Sequence, residues 1–169
     1  MSSTANLQQR PLWILSIHDR SPDGVLSFDL KDILRCLGPS IHNYSWLITE
    51  LDCTGEDTER ICESVEKSSN KGLAISADDL LQLSQRIFQT IDATIIGMRK
   101  KEPNSLNNGF TDLEHFPHDD TELIIRAIDS SFFEVITKDE EHVQRLEKCF
   151  KNTRKEDPQN YFPLNATGI

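Results

Sequence analysis

The first apolar signal in the chain is the uninterrupted run Leu12 to Ile17 (LWILSI), which suits a strand buried on both faces. Turn chemistry follows from His18 to Gly24. Leu30, Ile33, Leu34 and Leu37 then recur at i, i+3, i+4, i+7. They predict a helix capped by Ser27 and stopped at Gly38-Pro39. Residues 44–51 (YSWLITEL) are rich in aromatic and β-branched side chains and predict a second strand, broken at Thr54-Gly55. A helix over 57–68 carries Ile61, Cys62 and Val65 on one face.

Ser76 with Asp79 opens a further helix, the serine hydroxyl and the carboxylate serving its free amide donors. Its stripe is Leu80, Leu81, Ser84, Ile87, Phe88 and Ile91. Residues 93–98 (ATIIGM) predict a short strand. Residues 100–120 have no period and hold Pro, Asn and Gly, so they predict a long surface loop, a kind of segment that often carries function. Residues 123–128 and 132–137 read as a hairpin around Asp129-Ser130-Ser131, a three-residue loop without the usual glycine. Thr137 and Glu140 form a capping-box pattern before a last helix with Val143, Leu146 and Phe150 inward.

The order β-α-β-α-α-β-β-β-α predicts an α+β fold of two layers, a mixed and mostly antiparallel sheet packed against helices. No strand runs through a glycine-rich turn into a helix, which excludes a dinucleotide-binding fingerprint. One domain over 1–169 is expected, with a flexible N-terminus (1–10), the loop at 100–120 and an irregular tail (152–169).

Charge narrows the range of partners. The 169 residues carry 28 acids against 18 bases, a net charge of −10. A surface of that sign repels nucleic-acid phosphate and anionic membranes and favours a basic partner. The acids concentrate between Glu50 and Glu66, where Glu50, Asp52, Glu56, Asp57, Glu59, Glu63 and Glu66 face one Arg60. Glu50, Asp52, Glu56, Asp57 and Glu59 are the expected partner-binding residues, an electrostatic docking patch that steers a basic protein. Asp112, Glu114, Asp119, Asp120 and Glu122 form a second acidic segment.

Cys36, Cys53, Cys62 and Cys149 show no C-x-x-C spacing, so neither a zinc knuckle nor a redox pair is indicated. Unpaired buried thiols in the reducing cytoplasm are expected, with no metal and no cofactor. The apolar run at 12–17 is too short for a membrane span and lacks a cleavage site.

Two groups of residues suggest chemistry. His115-Phe116-Pro117-His118-Asp119-Asp120 gathers possible metal ligands, but Pro117 prevents a helix from aiming both imidazoles at one point. His18-Asp19 sets a possible general base at a strand end, yet neighbours in an extended chain point apart.

The segments ISADDLLQLSQRIFQTID and AIDSSFFEVITKDEE together resemble small uncharacterised bacterial proteins, some of them similar to toxin-immunity proteins. That resemblance implies a non-enzymatic protein that binds and blocks a partner. The leading expectation is therefore a protein-interaction module, an acidic inhibitor of a basic protein such as a nuclease toxin. A small enzyme or ligand binder using the 100–120 loop with His115 and His118 is the alternative, and pairing of edge strands into a homodimer is a further possibility.

Overall fold

The computed structural model describes residues 10–100 and 120–161. His115, His118 and most of the 100–120 segment lie outside the described residues, as do residues 1–9 and 162–169.

Among the described residues seven strands form one sheet. They are β1 (Trp13–Ile17), β2 (Tyr44–Gly55), β3 (Leu73–Ile75), β4 (Ile87–Arg99), β5 (Thr121–Ile128), β6 (Phe132–Thr137) and β7 (Thr153–Glu156), in the order β3-β2-β4-β5-β6-β1-β7. Every pairing between them is antiparallel, so the sheet is not mixed. Helices α1 (Leu30–Leu37), α2 (Glu59–Lys67), α3 (Ala77–Arg86), α4 (Glu140–Cys149) and the single turn α5 (Pro158–Tyr161) complete the α+β fold.

Alternation along the strands divides the apolar residues between two faces. Leu15, Ile17, Ile48, Ile95, Ile125, Phe133 and Val135 meet Leu30, Ile33, Leu34, Leu37, Leu80, Leu83, Val143 and Leu146 of α1, α3 and α4 in the main core. Ile14, Leu47, Ile96, Met98, Ile124 and Ile136 form a second apolar cluster. Ile14 to Ile17 are all buried, as the uninterrupted run at 12–17 predicts. Trp46 pairs with Gly97 across β2 and β4, and its ring passes 3.1 Å from where a Cβ would stand, so a side chain there would crowd the indole.

Several boundaries depart from the sequence reading. Asp29, not Ser27, caps α1: its carboxylate accepts the Leu30 amide while Asp32 reciprocates to the Asp29 amide. α1 does stop at Gly38, whose φ of 67° suits a residue without Cβ. α3 begins at its Ser76 cap as expected, but it ends at Arg86. Ile87, Phe88 and Ile91 belong to β4 and not to the helix, because the β-branched run from Ile87 to Ile96 favours an extended backbone. Asp139 rather than Thr137 caps α4, accepting from the Glu141 amide. The tail is not irregular throughout, since β7 pairs with β1 and α5 follows.

The β5–β6 hairpin has the expected three-residue loop, with Ile128 opposite Phe132. Asp129 and Ser130 take φ of 46° and 52°, a region costly for residues with a Cβ. Hydrogen bonds hold them there: Ser130 N–H donates to the Ile91 carbonyl at 2.9 Å and Asp129 N–H to the Asp92 carboxylate at 2.8 Å.

The expectation of four unpaired cysteines fails for Cys36 and Cys149 and holds for Cys53 and Cys62. Cys36 of α1 and Cys149 of α4, 113 positions apart in sequence, form a disulfide with Cα atoms 6.3 Å apart. Local spacing carries no information about a pair that helix packing brings together.

Candidate functional site

β2 is long, and β3 pairs with only its Trp46–Ile48 stretch. Beyond that, among the described residues, no strand pairs with the outer edge of Thr49–Gly55. Register shifts after Ile48, Asp52 and Thr54 bend this part of β2. The turn Glu56-Asp57 then sends the chain into α2, which lies alongside. Between the strand and the helix runs a groove of about 720 Å³.

Five acidic residues contribute to its lining: Glu50 and Asp52 from β2, with Glu59, Glu63 and Glu66 from α2. Among the described residues no lysine or arginine lines it. Glu50 accepts a hydrogen bond from Thr94 Oγ1 at 3.0 Å, which orients that carboxylate. Lys67 pairs with Glu63 at 3.4 Å, but both side chains are more than half exposed, so the pair neutralises the rim only weakly. Of the five residues expected from the sequence, Glu50, Asp52 and Glu59 line the groove. Glu56 and Asp57 are exposed on the turn at its end and do not line it.

The groove also holds two thiols, unconnected in the sequence reading. Cys53 Sγ and Cys62 Sγ lie 3.7 Å apart, on β2 and α2 respectively. Burial, and then the hydrogen bond with Cys62, push the Cys53 thiol up to about 12. The nine-residue separation resembles no thiol motif, and only the packing of α2 on β2 reveals the pair.

The remaining polar clusters are occupied in structural work. His142 is buried where α4 meets the end of α1. Ser40 Oγ donates to the Leu37 carbonyl at 2.8 Å, so it accepts from His142 Nε2–H at 3.2 Å. Nδ1 shares a hydrogen bond of 3.0 Å with the Thr137 hydroxyl. Burial lowers the pKa of the imidazole below the usual value, against the pull of Asp139. Ser40 has its proton committed to a carbonyl and is not an activated nucleophile.

His18 and Asp19 diverge, as extended neighbours do. The His18 ring stacks on Phe132 with centroids 5.0 Å apart and bonds Ser16 Oγ at 3.0 Å, while Asp19 accepts the backbone amides of Lys151 and Asn152. They form no acid–base pair. Glu122, from the second acidic segment, is buried and paired with Arg10 and Arg99, both at 2.7 Å or closer. It anchors chain segments and offers no docking charge. Among the described residues no group of three or more metal-ligating side chains converges, and no helix is long and apolar enough to cross a membrane.

Comparison of the chain with protein-family models, with curated proteins and with solved structures finds no match.

Proposed function

We propose that this protein is a non-enzymatic interaction module that receives a basic segment of a partner protein in the groove between β2 and α2. The observation that carries this reading is the acidity of the groove: five acidic residues and no basic one among its described lining residues. Such a concave surface of one sign concentrates cationic side chains and speeds their encounter. The open edge of Thr49–Gly55 adds backbone donors and acceptors that an extended segment can pair with, in the manner of strand addition. Blocking a basic enzyme, such as a nuclease toxin, is the physiological role that suits this surface. The net charge of −10 supports a protein partner over nucleic acid.

Buried His142 does not favour an enzyme, because both of its ring nitrogens are committed within the fold. The expectation of a reducing cytoplasm loses one support with the Cys36–Cys149 bond, since such bonds persist mainly in oxidising compartments.

Titration with a fluorescent peptide of alternating lysine and valine tests the reading. Wild type should bind it, more weakly as salt rises. The triple variant Asp52→Asn, Glu59→Gln, Glu66→Gln should bind about tenfold more weakly with a flatter salt dependence. Equal binding by the two proteins refutes the groove as the docking site. Sedimentation over a range of protein concentrations distinguishes a competing outcome, in which the open edge of β2 pairs with a second copy of the chain.

A further inference from the structure

Cys53 and Cys62 approach each other from different elements, a strand and a helix, and have no other cysteine to pair with, because Cys36 and Cys149 are bonded to each other. Both thiols are half-buried, both pack against the main core, and both line the groove, where a small reagent can reach them. We propose that Cys53 and Cys62 form a thiol–disulfide exchange site, a dithiol that reduces a small disulfide compound and closes into a bond tying α2 to β2.

The geometry is close to what the product needs. The sulfurs are 3.7 Å apart, and bonding distance requires them to approach by less than about 2 Å. α2 is the element placed to move. It buries only Val65 fully and has no side-chain hydrogen bond at its N-terminal cap. α1, by contrast, buries four residues and is closed by a reciprocal cap.

The reaction balances as two successive displacements. The Cys62 thiolate attacks one sulfur of the compound RSSR, forming a Cys62–S–S–R bond and expelling RS⁻, which takes up the proton Cys62 lost. The Cys53 thiolate then attacks the Cys62 sulfur, forming the Cys53–Cys62 bond and expelling the second RS⁻, which takes the Cys53 proton. Two electrons pass from the dithiol to RSSR, which leaves as two RSH. The order follows from the surroundings. Burial keeps Cys53 protonated, so it enters second, as the resolving thiol. Once Cys62 is capped, its hydrogen bond to Cys53 is gone, while that of Thr58, which favours the Cys53 thiolate, remains.

The proposal stands apart from the basic-partner reading and is tested without any partner. Wild-type protein with its Cys36–Cys149 bond intact is incubated with oxidised glutathione, quenched in acid and alkylated. Intact mass and peptide mapping then follow the two free thiols. The expected result is joint loss of both thiols, a linked Cys53–Cys62 peptide and no lasting glutathione adduct. Cys53→Ser should instead accumulate a glutathione adduct on Cys62, and Cys62→Ser should react about tenfold more slowly than wild type. Two independent adducts on wild type, or two thiols still free when dithiothreitol, as a control dithiol, is fully oxidised by the same glutathione, overturn the proposal. The wild-type measurement decides even if a variant fails to fold.

Discussion

The Asp29 carboxylate accepts both the backbone N–H and the hydroxyl of Thr90, at 2.9 and 2.5 Å, while it also caps α1. One side chain thus joins the first helix to the strand beside it, 61 positions later in the chain. Asp29→Ala removes the cap and leaves two donors of the buried Thr90 without their acceptor. It should cost about 2–4 kcal/mol, read from the urea unfolding midpoint. Asp29→Asn keeps a capping oxygen and should lose less than half of that. Equal losses would show that charge, not capping geometry, dominates.

Residues 87–91 show why part of the fold is hidden from a sequence reading. Leu80, Ser84, Ile87 and Ile91 keep helical spacing across a point where the backbone turns from α3 to β4 without a loop. Period alone does not locate such a junction, although the density of β-branched residues after Arg86 hints at it. β7 escapes for the opposite reason. Thr153–Glu156 is an edge strand with a single partner, and an edge needs no apolar alternation to be held. The strands at 12–17, 44–51, 123–128 and 132–137 were legible because each has at least one fully buried face. At the groove, the acidic run pointed to Glu50, Asp52 and Glu59 among the residues that line it. Neither cysteine contact was legible, since both depend on how helices pack.

The same junction yields a contrast between neighbours. Ile87 is 1 % exposed and Phe88 74 % exposed. Ile87→Ala should destabilise by about 2–4 kcal/mol, and Phe88→Ala by no more than about 0.5 kcal/mol. A helix continuing to Ile91 would bury both and make both substitutions costly. Chemical denaturation of the two variants separates these cases.

His142 makes stability depend on pH in mild acid. Its folded pKa lies below the ordinary value of 6.5, chiefly through burial, with Asp139, Glu141 and Glu122 opposing and Arg145 reinforcing. The unfolded chain therefore takes up a proton that the folded one refuses. The stabilisation is complete above 6.5 and is lost as pH falls from 6.5 towards the folded pKa. His18 is shifted in the same direction, so the comparison must isolate His142. His142→Gln should be less stable than wild type by about 1–3 kcal/mol at neutral pH, and the gap should narrow on going to about pH 5. A gap independent of pH would mean that the imidazole is not held neutral.

The Cys36–Cys149 bond closes a loop spanning most of the described chain, from α1 to the last residue of α4. Cross-linking residues so far apart restricts the unfolded ensemble strongly, and the chain-entropy argument assigns about 2–5 kcal/mol to such a bond. The helices it joins also meet through Arg145, which donates to the Leu37 carbonyl at the end of α1 at 2.9 Å. Their packing therefore does not rest on the bond alone. Cys36→Ser should accordingly fold, with the same helices docked, but unfold at lower denaturant. Reductant should lower the wild-type midpoint towards that of Cys36→Ser and leave the variant unchanged. If reductant lowers the midpoint of Cys36→Ser as well, a second bond must be present, and Cys53 with Cys62 is the pair to map. If wild type and Cys36→Ser unfold together in oxidising buffer, the bond contributes nothing and the helix contacts alone hold α1 against α4.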